Sequence, residues 1–110
     1  MLVEAGGEEA AEMLEELVEL FEDEGKAKLP RMHGLLTEGN LPDLRRDAHA
    51  IAGASANLGG RRLNRIAKTV ELQALNGQAE GLDVGITTLH ETFFATGAAL
   101  HARIASLRAS

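Results

Sequence analysis

The sequence contains no cysteine, which excludes disulfides, thiol catalysis and thiolate metal sites. No apolar run approaches the roughly 20 residues that a membrane span requires, so the chain is expected neither to cross nor to enter a bilayer. Residues 1–7 lack the basic stretch and hydrophobic run of a secretory signal, which gives the expectation of a cytoplasmic protein. Positive charge is the scarcer sign: 11 Lys and Arg against 17 Asp and Glu, for a net charge of −6. A nucleic-acid binder would want a concentrated basic face, so a protein partner is expected instead. The chain also has neither a Walker-type loop ending in Lys-Ser/Thr nor a dinucleotide glycine signature, so it is not expected to phosphorylate itself.

What is present is helical periodicity. With 110 residues, 45% hydrophobic and 25% charged, residues 1–110 are expected to form one globular domain. From Glu8 to Glu38, apolar residues recur three or four apart (Ala10, Met13, Leu14, Leu17, Leu20, Phe21, then Leu29, Met32, Leu35 and Leu36), with acidic residues on the other face. Gly25 and Pro30 interrupt this long helix and predict a kink or break between them. Gly39-Asn40 stops it and Pro42 starts the next helix, which runs to about Leu58. Gly59-Gly60 is a turn, a third helix carries Leu63, Ile66, Ala67, Val70 and Ala74, and Asn76-Gly77 ends it. A fourth helix places Ile86, Leu89, Phe93, Gly97, Leu100, Ile104 and Leu107 on one stripe. Four amphipathic segments on short loops, with no strand-like alternation, predict an all-α fold: an antiparallel four-helix bundle, up-down-up-down.

The second helix carries the functional signal. At about 100° per residue, Leu44, Ala48, Ile51, Ser55 and Leu58 fall in one band that must face the core. His49 then lies roughly 140° away and points to solvent. Its expected neighbours on that outer side are Ala52, Gly53, Ala56 and Gly60, where a helix in water usually carries Glu, Lys or Gln. Glycine at position 53 costs about 1 kcal/mol of helix propensity relative to alanine, which packing does not repay, so something must need to come close. Arg45 and Arg46 one turn before His49, and Arg61 and Arg62 beyond the turn, suit a partner that handles an anionic group. An imidazole facing water keeps a nucleophilic nitrogen near neutral pH without an activating base, and can accept a phosphoryl group.

His49, Gly53, Ser55, Gly59, Leu63 and Glu71 together resemble the pattern of histidine phosphotransfer domains, including the one that opens chemotaxis kinases. The resemblance, carried by residues 44–71, implies a bundle whose second helix exposes a phosphorylated histidine, His49. It also implies a glycine four residues on, Gly53, that admits a receiver domain, with Ser55 and Gly59 as structural support. It implies receiver domains and histidine kinases as partners, and no cofactor on this chain, the magnesium belonging to the receiver. One departure stands out: where the family usually has a basic residue three positions after the histidine, this chain has Ala52, leaving Arg45 and Arg46 to supply charge.

Plainer readings stand beside this one. A lone exposed histidine is usually an ordinary surface residue; here the small-residue floor and the matching glycine distinguish it. His33, His90 and His101 lack such surroundings and read as structural or surface residues. Glu71 and Glu91 do not make the inward Glu and Glu-x-x-His set of a di-metal bundle, so no metal is expected. The acidic run from Glu8 to Glu24 reads as a solvated face, and Phe21, Phe93 and Phe94 as core or near-core. A bundle that binds a partner through the small-residue face without chemistry at His49 is the competing class, and self-association through Gly53 and Ala56 a further one.

Overall fold

The structure, a computed structural model, describes the backbone of residues 2–109 and the side chains of residues 7–109. Four helices make it up: α1 Leu2–Thr37, α2 Leu41–Ala56, α3 Arg61–Leu75 and α4 Leu82–Ala109. The joint between α1 and α2 follows from local chemistry. Gly39, at φ 74, takes the left-handed conformation that ends α1. Asn40 then caps α2 by accepting from the Asp43 N–H at 3.3 Å, with Pro42 in the first turn.

Cross-helix contacts fix the directions. Between α1 and α4, Glu15 meets Arg108, Glu22 meets His101 and the Leu29 carbonyl meets His90, so the partners run in opposite order. Between α2 and α3, His49 meets Glu71 and the Ala52 carbonyl meets Asn64, again antiparallel. Each helix packs on its two neighbours around the ring, which is the up-down-up-down bundle. Val18, Phe21, Leu29 and Met32 from α1 meet Leu44, Ala48 and Ile51 from α2, Leu63, Ala67 and Val70 from α3, and Leu82, Ile86, Leu89 and Phe93 from α4. Arg31 on α1 donates to both carboxylate oxygens of Asp47 on α2, at 2.7 and 2.6 Å. These hydrogen bonds, and the charge behind them, hold the Arg31 guanidinium above its ordinary pKa. Asp47 is otherwise shut into the core, and this fork satisfies it.

Two features differ from the periodic pattern. First, α1 is unbroken through Gly25 and Pro30. Gly25 is a notch rather than a break: it is buried, and a Cβ there would overlap the Phe93 ring, which stacks on Phe21 with centroids 4.3 Å apart. Pro30 sits on the exposed side, where water can take up the carbonyl its missing N–H leaves free. Second, the buried row of α1 runs through Ala11, Val18 and Phe21, whereas Ala10, Met13, Leu17 and Leu20 are exposed. The short α2 and α3, 16 and 15 residues against 36 in α1, leave the first half of α1 little but α4 to face, so only the narrower of its two apolar rows is covered. Phe94 is likewise exposed, because α4 turns it away from the bundle while Phe93 enters. No helix among the described residues is long and apolar enough to cross a membrane.

Candidate functional site

Helix α2 buries Leu44, Asp47, Ala48, Ile51, Ala52 and Ser55, which leaves His49, Gly53 and Ala56 on the opposite, exposed side. The His49 side chain is 72% exposed. One contact governs it: Nδ1 lies 2.8 Å from Oε2 of Glu71 on α3. An ionised carboxylate has only lone pairs to offer, so Nδ1 carries the hydrogen and donates it. That leaves Nε2 with its lone pair free, on the part of the ring turned to solvent. Glu71 is itself only 18% exposed, so it is a sheltered, oriented acceptor.

The end of α2 is tied down beneath this histidine. Ser55 Oγ donates to the Ala52 carbonyl at 2.9 Å, and Asn64 Nδ2 of α3 donates to the same oxygen at 2.7 Å. The Ser55 carbonyl receives the N–H groups of Leu58 and Gly60, at 3.2 and 3.0 Å, and Gly59 at φ 72 makes the reversal possible. A Cβ at Gly53 would meet nothing within 4 Å. The absence of a side chain there serves no contact inside this molecule.

Two residues expected on the outer face lie elsewhere. Ala52 is buried, 2% exposed, because three residues on from His49 turn the chain back toward α3, which packs against it through Asn64. A lysine at 52 would have to thread its stem out of that contact. Gly60 is half-buried and begins α3; its N–H is used by Ser55 and a Cβ would stand 3.3 Å from the Ser55 carbonyl, so it is a hinge of the turn rather than part of an open surface. Arg46 pairs with Asp43 at 3.2 Å, while Arg45 is half-buried and has no carboxylate partner among the described residues. Arg61 and Arg62 are exposed at the start of α3.

The Arg31–Asp47 fork and the Asn64 anchor went unanticipated. Asp47 could have been noticed as a carboxylate on the core side of α2, but its partner lies 16 residues away on another helix. The other histidines are engaged differently. His90 Nε2 donates to the Leu29 carbonyl at 2.8 Å, His33 lies 3.2 Å from the Asp83 carbonyl, and His101 pairs with Glu22 at 3.1 Å. No group of three metal-binding side chains occurs among the described residues.

Neither the curated proteins nor the solved structures gave a match to this chain. The family model for the Hpt domain matches residues 16–110, which takes in α2, α3, α4 and most of α1, and the chain therefore belongs to the Hpt family, the histidine phosphotransfer domains of two-component signalling.

Proposed function

We propose that the chain is a phosphoryl carrier of a two-component phosphorelay, with His49 as the residue that is phosphorylated. The observation that carries this reading is the exposed His49 ring, held by Glu71 through Nδ1 so that Nε2 faces outward beside the bare surface of Gly53 and Ala56. Nε2 attacks phosphorus in line; the N–P bond forms as the bond from phosphorus to the donor oxygen breaks, and that oxygen leaves with the electron pair. The donor is an aspartyl phosphate of a receiver domain or the γ-phosphate of ATP in a histidine kinase, and the return transfer reverses the same step. After phosphorylation the ring keeps its Nδ1 hydrogen and gains positive character, which the Glu71 carboxylate stabilises. Magnesium to assist the transfer would be held by the receiver rather than by this chain.

Incubating the chain with phosphorylated receivers and with kinase catalytic domains, and mapping acid-labile, base-stable label by mass spectrometry, tests this reading. Label on His49 is expected; no label from any competent donor, or label elsewhere, overturns it. Glu71→Ala should slow transfer by about ten- to hundredfold, as when a histidine loses the partner that fixes its tautomer, with the fold retained. Equal initial rates for the two proteins would remove Glu71 from the mechanism. Arg45 and Arg46 stand one turn before His49, where they can guide an acidic receiver surface. The Arg45→Ala/Arg46→Ala double variant should therefore transfer more slowly at low salt and converge on wild type as salt rises. Rates matching wild type at both extremes would show that the receiver needs no guidance from them.

A further inference from the structure

A phosphoryl group on Nε2 of His49 would bring two negative charges close to the Glu71 carboxylate, which already holds Nδ1 at 2.8 Å. At such separations like charges repel even beside water, so a carrier that keeps its phosphate needs a cation of its own near Nε2. On α2 the choices are poor. Arg46 is drawn to Asp43, Arg45 is half-buried, and position 52 is a buried alanine. The helix packed beside it offers a better one. Asn64 and Glu71 on α3 both reach α2, the first at the Ala52 carbonyl and the second at His49, and they define the edge of α3 that runs along the site. Lys68 stands on that edge between them, four residues after Asn64 and three before Glu71. Residues so spaced have Cβ atoms about 5–6 Å apart on one helix face. Because α2 and α3 run antiparallel, Lys68 is level with the stretch of α2 from His49 to Ala52. There Ala52, whose carbonyl Asn64 reaches from this edge, carries only a buried methyl group and does not block a flexible stem. Lys68 is exposed and has no carboxylate partner among the described residues.

We infer that Lys68 is the cation of this site: from α3 it reaches over the buried Ala52 and pairs with the phosphoryl group on His49. The inference rests on His49 being the phosphorylated residue. The unphosphorylated chain has no use for this contact, which accounts for a lysine left unpaired beside the sheltered Glu71. Once the phosphate is in place, Lys68 offsets the repulsion from Glu71 and favours the dianionic form. The charged groups around the phosphate are then Glu71 and Lys68 from α3 and Arg45 and Arg46 from α2. Lys28 on α1 is occupied by Glu24 at 2.9 Å.

The test uses the full chain loaded from a phosphorylated receiver, comparing wild type with Lys68→Ala, Lys68→Arg and Arg45→Ala/Arg46→Ala. Phosphorus NMR follows the titration of the phosphoryl group on His49, and the same samples give the equilibrium between phosphohistidine and phosphoaspartate. Lys68→Ala should raise the pH at which the phosphoryl group gains its proton. It should also lower the equilibrium share of phosphohistidine by about fivefold at low salt, the upper range for an exposed ion pair, and less as salt rises. Lys68→Arg should restore both, and the arginine double variant should shift the phosphoryl titration less than Lys68→Ala does. An unchanged titration and equilibrium in Lys68→Ala overturns this inference and leaves the His49 reading standing. A wild-type chain that takes no phosphate from any donor overturns both.

Discussion

His49→Gln should abolish phosphate acceptance while leaving the bundle intact. The two halves of that expectation have separate causes. Glutamine has no ring nitrogen lone pair and cannot form the N–P bond, so acid-labile label should fall to background with every donor. Its amide N–H can still donate to Glu71, replacing the one contact His49 makes, and its helix propensity is better than that of histidine. The side chain is 72% exposed and fills no core volume. Stability should therefore stay within about 0.5 kcal/mol of wild type, with unchanged helical circular dichroism and melting. The remaining histidines make the control informative. His90 gives its Nε2 hydrogen to the Leu29 carbonyl, and His33 and His101 face α4 and α1 contacts far from the bare side of α2. If the variant still accumulates acid-labile phosphate, or if peptide mapping places the label on any of those three, His49 is not the carrier.

The parts of this molecule that could be read from the sequence are those set by neighbours along the chain. Gly39, Asn40 and Pro42 announce the α1–α2 joint because a left-handed residue, a capping side chain and a fixed φ each act within a few residues. The outward position of His49 follows from angular spacing on a helix whose inner band is apolar. What could not be read depends on how far each helix is rotated against its neighbours. Two rows of α1, one through Ala11 and Val18 and the other through Met13 and Leu17, are each apolar enough to be buried, and only the lengths of α2 and α3 decide between them. Ala52 looked like part of the open surface because Gly53 and Ala56 beside it are open, whereas it is buried on the side of α2 that Asn64 of α3 reaches. Gly25 looked like a defect in α1 for the same reason: the Phe93 ring that needs the space comes from α4, 68 positions away. The Arg31–Asp47 fork belongs with these, an ion pair between helices that no local pattern encodes.

Gly53→Glu should make the protein more stable and worse at transfer, a combination that few surface substitutions produce. The stability half follows from open space. Nothing lies within 4 Å of a Cβ at this position and the residue is helical, in the last turn of α2, so the variant gains helix propensity, worth several tenths of a kcal/mol, without a clash. Gly25 is the internal contrast. Gly25→Ala would gain the same kind of propensity but drive a methyl group into the buried Phe93 ring, an overpacking cost of about 1–3 kcal/mol that should outweigh the gain and lower the melting temperature. The transfer half follows from what the bare surface is for. Gly53 lies one turn beyond His49 on the exposed side of α2, so a glutamate there stands where the rim of a receiver's active site must approach. It also adds a negative charge next to the one being transferred. Transfer from a phosphorylated receiver should fall by at least about tenfold, through weaker docking rather than a changed nucleophile. A small donor such as acetyl phosphate or phosphoramidate, which needs no docking surface, should label Gly53→Glu about as well as wild type. Gly53→Ala, the smallest addition, should keep the stability gain with a milder loss. A Gly53→Glu protein that melts higher and still exchanges phosphate with its receiver at the wild-type rate would show that the partner approaches His49 from another side, and the glycine would then need a different explanation.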